Sequence, residues 1–546
     1  MFKEWATRLK GMYLIALFTT LIVIISACSG TAAKEYEETP PPYCETADSY
    51  VNGYAIAENQ APEIDETLGR EPTEDATIPN ISAPHYIETI VERVLIHPTP
   101  ISLEERPALP PLTLQDILIT TNTRRHDIVR LDPRDPYLLE IAVANRRSFA
   151  TRPPIPEERL PCGRITQSAA ISDVEFLFGV LRDRYAAYRF LGGDDAFFPV
   201  RDAVIYEVSQ LESLLPSDLR RILRTHLSTV IVDNHFMLGG VPVTPSIYFY
   251  GNEQLMFDRS YDGFRNRSNN LYVVYVERHD IYTLFRLSMD SNGEFFYSPI
   301  VMTETRPTTY YIIIMYEDGS GERLELYELR SDNMTRGKCA DGMRTRMARA
   351  GGIPVITVRA MERFHEATAF MNYATSLREE PVIIIDLRSN GGGIGQSIGR
   401  WLRRLTGEYV LTNTLLVFGD DSLISFDTLA HNIRNEMASV VEIDQKLILL
   451  VDRYSASAAE VFVDYILNIE NALIIGQNTS GTLITGRGTN RRMPNSGIGF
   501  SASDFFIIFP EGIFEEEIGF APDIWVHGDA LRATIEMLRN AGLTTH

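Results

Sequence analysis

Val451–Glu460 (VDRYSASAAE), which follows the apolar run Leu447–Leu450 (LILL), decides the fold of this chain. A long apolar run that breaks into small residues and then into the helical pattern Val461–Leu467 predicts a buried strand, a turn and a helix beginning near Ser457. Backbone N–H groups are unpaired at a helix N-terminus and favour negative charge there. Ser457 is therefore a candidate nucleophile, although Ser455 or Ser457 acting only as a helix cap explains the same residues.

A second strand-to-turn transition lies upstream, in Pro381–Gly393 (PVIIIDLRSNGGG). Its glycines permit positive φ and close backbone approach, so their N–H groups can face a bound carbonyl. A nucleotide site is excluded because no Gly-Lys-Ser/Thr follows. Strand and helix patterns alternate through residues 341–546, from Ile353–Val358 through the helix Ser397–Leu405, which predicts a layered α/β catalytic unit.

Length and composition limit the number of structural units and the kinds of binding partner. The chain has 546 residues, 45% of them hydrophobic, and a formal net charge of −22. This length predicts more than one unit, and the negative charge argues against a nucleic-acid partner, which would need clustered Lys and Arg. Residues 29–110 are acidic and Pro-rich and predict a disordered tether, followed by a poorly defined extension over 111–165.

The N-terminus predicts export. Basic residues precede the apolar run Met12–Ser26, and residues 1–28 have the order of a signal peptide, although an uncleaved membrane anchor is the alternative. Ile25–Cys28 (ISAC) resembles the bacterial lipobox, in which the cysteine is lipidated. This resemblance implies an extracytoplasmic, membrane-anchored lipoprotein of a bacterial cell envelope, with the membrane as partner through Cys28.

Between the tether and the catalytic unit, the patterns predict a helical subdomain over 166–240 and a β-rich inserted module over 241–340. The helical subdomain exits through Asp233-Asn234-His235. Cys162 and Cys339 could form a disulfide outside the cytosol or remain as buried thiols. Their spacing is not that of a metal site, and we expect no metal and no cofactor.

Four segments together resemble the carboxyl-terminal processing, or tail-specific, serine peptidases. They are PVIIIDLRSNGGG (381–393), LILLVDRYSASAAE (447–460), ALIIGQNTSG (472–481) and GFAPDIWV (519–526). The resemblance implies a crotonase/ClpP-like catalytic core with Ser457 as nucleophile. Related enzymes carry a peptide-binding PDZ domain where the β-rich module lies here, so the resemblance implies a PDZ-like module over 241–340.

The general base departs from the branch of this family that uses a Ser–Lys dyad. Thr482 stands where that branch has lysine, and no Lys follows Lys446. Another branch, similar to the tricorn protease core, takes a His from the helical segment and a Glu from near the end of the chain. The matching positions here are His235 and Glu516, with Glu515 and Glu517 as rivals to Glu516.

The resulting hypothesis is a serine-type peptidase. Ser457 attacks a peptide carbonyl, His235 relays the proton, and Glu516 with Asn234 helps to set the catalytic geometry. The oxyanion is expected to rest on the backbone N–H groups of Ala458 and of either Gly391 or Gly392.

We expect protein or peptide substrates, cleaved near their C-termini or in unfolded regions. One alternative is a catalytically silent ligand- or peptide-binding lipoprotein on the same fold, as in retinoid-binding relatives. Another is a structural or adhesion lipoprotein that acts through its tether and β-rich module.

Overall fold

The computed structural model describes residues 109–144, 163–260, 263–304, 309–317, 322–331, 345–361, 368–418, 423–425 and 437–544. The predicted signal peptide, nearly all of the predicted tether and the four cysteines lie outside these ranges. Lipidation of Cys28 and pairing of Cys162 with Cys339 therefore stay predictions. Within the described ranges, no helix is both long and apolar enough to cross a membrane.

Helices dominate the described residues before residue 240. They are α1 (Leu114–His126), α2 (Pro136–Ala144), α3 (Gln167–Arg184), α4 (Gly193–Ser209) and α5 (Pro216–Leu227). The short strands of this part are β1 (Ile165–Thr166) and β2 (Ser213–Leu214), then β3 (Met237–Leu238), and β4 (Val241–Pro242) just beyond it. Helices α3, α4 and α5 share one apolar core, which also includes Phe500 and Phe506 from the end of the chain. The helical part is thus packed directly on the catalytic part.

The region predicted as a poorly defined extension contains α1 and α2. Leu114, Ile117 and Leu118 of α1 enter the core beneath the parallel strands described below. Arg125 is 1% exposed, and its guanidinium donates to Ile469 O at 2.6 Å and to Asp523 Oδ2 at 3.1 Å. These hydrogen bonds of Arg125 anchor α1 to the catalytic part, because the helix has only a weakly apolar face to hold it there.

The described residues between 248 and 331 form an antiparallel meander, in agreement with a β-rich module at this position. Its elements are β5 (Tyr248–Gly251), β6 (Phe257–Ser260), β7 (Gly263–Asn266), β8 (Tyr272–Val276), α6 (Ile281–Leu284), β9 (Phe285–Met289), β10 (Phe295–Pro299), β11 (Val301–Thr303), β12 (Tyr310–Glu317) and β13 (Glu322–Ser331). The meander continues the main sheet, because β9 pairs in parallel with the last strand of the chain at Ser288↔Trp525. The PDZ-like assignment stays a prediction.

The rest of the chain alternates strand and helix, as predicted. The strands are β14 (Thr345–Ala350), β15 (Ile353–Val358), β16 (Val382–Asp386), β17 (Leu415–Phe418), β18 (Leu423–Ser425), β19 (Lys446–Val451), β20 (Ala472–Gly476), β21 (Thr489–Arg492), β22 (Gly499–Ala502), β23 (Phe505–Ile508) and β24 (Ile524–Trp525). The helices are α7 (Thr368–Ser376), α8 (Ile398–Thr406), α9 (Ala458–Ile466) and α10 (Ala530–Asn540).

Strands β15, β16, β19, β20 and β24 are parallel neighbours with helices on both faces. Successive side chains of a strand point to opposite faces, so Ile383 and Leu449 enter the core against α8 and α9. Ile384 and Ile448 enter the core against α1 and α10 on the other face. Burial on both faces explains the continuous apolar runs in the sequence.

This sheet brings the two turns that the sequence singled out to one edge. β16 and β19 are adjacent and parallel, with Asp386 opposite Leu450. The segments that follow these two strands therefore leave the sheet at the same edge. The turns are then joined by a hydrogen bond from Ala456 N to Asn390 O at 2.9 Å. Open α/β sheets bind ligands at this carboxyl edge of the strands.

Candidate active site

Ser457 occupies a strained turn between β19 and α9. Its φ and ψ are 55° and −119°, a region that residues with a Cβ rarely adopt and that costs on the order of 1–3 kcal/mol. Its side chain makes no capping hydrogen bond to the helix. Ser455 instead has a structural place, because its buried hydroxyl accepts from Asp452 N at 3.0 Å and donates to Leu387 O at 2.9 Å. Of the two serines, Ser457 faces the cleft.

His235 reaches this serine from the exit of the helical part, 222 residues away in sequence. Its Nε2 lies 3.0 Å from Ser457 Oγ. The backbone around it is fixed, since His235 N donates to Asp233 Oδ1 at 2.9 Å and His235 O accepts from Ser501 Oγ at 3.3 Å. This distance is within hydrogen-bond reach for a nucleophile and its general base.

Burial, and secondly the positive charge of Arg487, lower the pKa of His235 to about 4. The imidazole is therefore neutral at pH 7 and Nε2 can accept the hydroxyl proton of Ser457. The remaining ring nitrogen, Nδ1, is buried and has no hydrogen-bond partner among the described residues. The described part of the chain thus supplies a Ser–His pair without a carboxylate on the imidazole.

Glu516 makes no hydrogen bond to the imidazole in the described structure, and its expected part in setting the catalytic geometry stays a prediction. Its Oε1 accepts from Asn234 N at 2.9 Å, and its Oε2 accepts from Leu483 N at 2.9 Å and Ile484 N at 2.8 Å. Burial, followed by the charge of Asp233, raises the pKa of Glu516 well above its usual range. Its carboxyl therefore holds backbone on both sides of the site.

Asn234 likewise connects backbone segments. Its Nδ2 donates to Gly481 O at 2.6 Å, and its Oδ1 accepts from the hydroxyl of Thr244. Together with the contact from Glu516, these bonds position the residue directly before His235. Among the rival carboxylates, Glu517 lines the cleft, and burial and the charges of Glu304 and Glu515 raise its pKa to about 7.

The glycine turn lies against Ser457, but its two candidate amides differ. Gly392 N donates to Asn390 Oδ1 at 2.9 Å, so of the two expected glycine donors Gly391 is the one whose amide is not already used. The amides of Gly391 and Ala458 have no partner among the described residues. Gly392 is needed for close packing, since a Cβ there would lie 2.7 Å from both Ala456 O and Ser457 Cβ.

These groups line a cleft of about 1370 Å³. Its walls come from the nucleophile turn, the glycine turn, the loop around Ser480–Thr482 and the small sheet in the order β21-β22-β3-β4. The cleft is larger than the 300–1,000 Å³ or so that small-molecule sites usually occupy. Its size suits an extended chain of several residues.

Residues 352–526 match the protein-family model of peptidase family S41. The chain carries an S41 peptidase domain. This domain has a crotonase/ClpP-like α/β core and makes the protein a serine-type peptidase, a hydrolase acting on protein or peptide substrates. Ser457 lies within the matched segment, whereas His235 precedes it.

Several solved structures are similar at low sequence identity. Mature CPAF complexed with lactacystin has a TM-score of 0.38 at 14% identity, with 69% of this chain and 98% of that chain covered. The photosystem II D1 C-terminal processing protease has a TM-score of 0.32 at 14% identity, covering 66% and 93%. The tricorn protease has a TM-score of 0.26 at 14% identity, covering 69% and 35%. No curated protein sequence matches this chain significantly.

Sequence reasoning did not assign a site role to Glu460, which holds the nucleophile turn of the S41 domain. Its Oε2 accepts from Ser457 N at 2.8 Å and Thr482 N at 3.0 Å, and its Oε1 accepts from Gly481 N at 2.8 Å and Thr479 Oγ1 at 2.7 Å. Burial raises the pKa of Glu460, while these four bonds oppose the rise. The Ser-x-x-Glu spacing of a capping box was the available signal.

Asp233 was likewise left without a role. Its carboxylate accepts from Tyr185 OH at 2.9 Å, from Thr485 Oγ1 at 2.9 Å and from the backbone of His235. Burial raises the pKa of Asp233 to about 6 against the effect of these hydrogen bonds. Asp233 therefore fixes the segment that carries the imidazole to the helical part and to the strand region after Thr482.

Proposed function

We propose that this S41 protein is a membrane-anchored, extracytoplasmic serine endopeptidase of the His-dependent kind, with Ser457 as nucleophile and His235 as general base. The observation that carries the proposal is the 3.0 Å approach of His235 Nε2 to Ser457 Oγ. The direction of proton transfer follows from the low pKa of His235, because a neutral imidazole accepts a proton and an imidazolium does not.

In the proposed reaction, Ser457 Oγ bonds to the peptide carbonyl carbon while its proton passes to His235 Nε2. The carbonyl oxygen becomes an oxyanion beside the amides of Ala458 and Gly391, which have no other partner in the described structure. His235 then gives its proton to the departing amine as the C–N bond breaks. Water, deprotonated by the same imidazole, hydrolyses the acyl-enzyme and restores the serine.

The open cleft supports unfolded chains or chain ends as the substrates. A folded domain cannot enter a cleft of about 1370 Å³, whereas an extended peptide can lie along it. The edge strands β21 and β4 of the small sheet border this cleft and can pair with an added strand. We therefore propose cleavage near C-termini or within unfolded segments.

A fluorophosphonate probe tests the chemistry. We expect the wild-type protein to become labelled, mass spectrometry to place the label on Ser457, and both Ser457→Ala and His235→Gln to abolish it. Ser376→Ala, which changes an exposed serine on α7 outside the cleft, is the matched control and should label as the wild type does. A label on Ser457→Ala protein would overturn the nucleophile assignment, and undiminished labelling of His235→Gln protein would overturn the role of the base.

Membrane anchoring and location are tested separately. The proposal here rests on the ISAC sequence ending at Cys28, which lies outside the described residues. In a bacterial host, Cys28→Ser should move the protein from the membrane fraction to the soluble fraction, and acyl labelling should disappear with it. Unchanged membrane association of the variant would contradict a lipid anchor at this residue.

A further inference from the structure

Three arginines lie on one wall of the active-site cleft. Arg491 and Arg492 are on the edge strand β21, and Arg487 is on the segment leading into that strand. Arg491 is 9% exposed and its Nη1 donates to Thr489 O at 3.2 Å, so it belongs to the wall itself. Arg487 and Arg492 are exposed to the cleft.

The guanidinium groups of Arg487 and Arg492 have no hydrogen-bond or ion-pair partner among the described residues. Most other arginines near the site are used internally. Arg453, for example, donates to Ile518 O at 2.7 Å and to Glu517 O at 2.9 Å. Two uncompensated cations beside the nucleophile are unexpected in a chain with a formal net charge of −22.

One carboxylate, that of Glu517, also lines the cleft, but it belongs to a different wall. Glu517 N donates to Gly481 O at 2.9 Å, which places this residue with the Ser480–Thr482 loop and not with β21. The β21 wall contributes Arg487, Asn490 and the two strand arginines to the lining, with no carboxylate among its described lining residues. The charge on that wall is therefore positive.

We propose that this wall binds a carboxylate of the peptide substrate through Arg487 and Arg492, and so selects peptides that place a carboxylate in the cleft beside the peptidase site. The inference rests on the proposed function, because it assigns the substrate class of the same cleft. A guanidinium offers paired N–H donors in the geometry of a carboxylate, and a cleft strengthens the attraction by excluding part of the solvent. The carboxylate is either an Asp or Glu side chain or the free C-terminus of the chain being cleaved.

The pKa of His235 is consistent with a positive charge on this wall of the cleft. Arg487 is close enough to His235 for its charge to lower the pKa of the imidazole, after the larger effect of burial. A substrate carboxylate on Arg487 would cancel part of that charge. Acidic substrates are therefore expected to gain in kcat as well as in binding.

Peptide binding to full-length Ser457→Ala protein tests the proposal without depending on turnover. Three peptides of equal length carry the same uncharged dye: one with two internal Glu and an amidated end, one with Gln at those positions and a free end, and one with Gln and an amidated end. Affinities are measured by fluorescence anisotropy at pH 8 and low salt, then in 0.5 M NaCl. We expect one charged peptide to bind about tenfold tighter than the neutral peptide, with the advantage shrinking in salt.

Arginine variants made in the same Ser457→Ala protein assign the effect. R487Q with R492Q should reduce the advantage to about twofold or less, as expected for loss of these charge-assisted contacts. R532Q removes an exposed arginine on α10 outside the cleft, and should keep the full advantage. An advantage of the internal-Glu peptide identifies a side-chain carboxylate, and an advantage of the free-end peptide identifies the C-terminus.

Equal affinities for the three peptides, undetectable binding of both charged peptides, or an advantage that survives the double substitution would overturn the proposal. Failure of the proposed function looks different: it is absence of cleavage or fluorophosphonate labelling that depends on Ser457, whatever the peptides bind.

Discussion

Replacing Glu460 by glutamine should destabilise the nucleophile turn while leaving a measurable reaction. Four donors converge on the two carboxylate oxygens of Glu460, namely the backbone N–H groups of Ser457, Gly481 and Thr482 and the hydroxyl of Thr479. Glutamine has nearly the same shape but exchanges one acceptor oxygen for an NH₂ group. Two of the four donors must then face another donor.

The side-chain amide has two orientations of unequal energy. With NH₂ toward Ser457 and Thr482, two buried backbone N–H groups lose their acceptor. With NH₂ toward Thr479 and Gly481, the hydroxyl of Thr479, which already accepts from Phe520 N at 2.8 Å, can turn its O–H away and accept a second bond, so Gly481 N–H is the one backbone donor left unpaired. The second orientation is favoured, and one buried unpaired donor costs about 1–3 kcal/mol. Removing a buried charge offsets part of that cost, since burial already raises the pKa of Glu460.

Thermal unfolding and steady-state kinetics on a Ser457-dependent peptide check this estimate. We expect Glu460→Gln to lower the thermal midpoint by roughly 3–8 °C. The rate constant kcat should fall less than about tenfold, because the favoured orientation keeps the bond to Ser457 N. Glu511→Gln, a substitution at an exposed glutamate, is the matched control and should change neither quantity.

Two results would refute the reasoning. A folded Glu460→Gln protein without activity would mean that the carboxylate takes part in the chemistry as an acid or base. A variant with the wild-type thermal midpoint and wild-type kcat would mean that its hydrogen bonds do not hold the turn.

The other predictions concern the glycine turn, the distal carboxylate and the base. Gly392→Ala should lower kcat at least about a hundredfold, since φ is +94° and the new Cβ would lie 2.7 Å from Ser457 Cβ. Gly528→Ala, at an exposed position outside the cleft with no atom within 4 Å of the new Cβ, is its control in the same assay. Glu516→Gln should lower kcat about tenfold with little change in KM, because it loosens backbone and not substrate contacts, and an unchanged kcat would contradict this. The labelled Cε1 resonance of His235, assigned with His235→Gln, should titrate near pH 4, so the neutral base persists at pH 5.5; a midpoint near 6.5 would show that burial does not act on it.

The low pKa of His235 also fixes the sign of its contribution to stability. The folded state favours the neutral imidazole, whose pKa of about 4 lies below the unfolded value near 6.5. The contribution is complete above the unfolded pKa and is lost as the pH falls from about 6.5 through 4. Asp233 acts in the opposite sense, because its raised pKa makes its protonation easier in the folded protein.

The parts of the site that could be predicted are those that local sequence patterns determine. The buried strands, the two turns and the helix after Ser457 follow from apolar runs and small residues in β16, β19 and α9. Because parallel strands leave a sheet at one edge, the same patterns also bring the glycine turn to the serine. His235 was found differently, by resemblance, and nothing in its own neighbourhood distinguishes it from a structural histidine.

The parts that could not be predicted depend on backbone contacts over long distances. Residue type suggests that Glu516 pairs with a side chain, but its acceptors are used by the N–H groups of Asn234, Leu483 and Ile484, which every residue type except proline offers equally. The pairing of β9 with β24 joins the module to the main sheet without any sequence signature. Helix α1 was missed because its anchor is Arg125 and not a continuous apolar stripe.

The surroundings of the His235 imidazole determine which charges can stabilise its protonated form during the reaction. Asp233 and Glu516 fix the backbone before and at His235, so they set where the base lies without pairing with Nδ1. When His235 takes the proton of Ser457, the resulting imidazolium is buried and faces the positive charge of Arg487. Both effects oppose its formation. The compensating negative charge must then arrive with the substrate, first as the developing oxyanion and, for an acidic peptide, also as a carboxylate on Arg487. We therefore expect the preference for acidic peptides to be larger in kcat/KM than in equilibrium binding to Ser457→Ala protein, and equal preferences in the two measurements would show that Arg487 acts on binding alone.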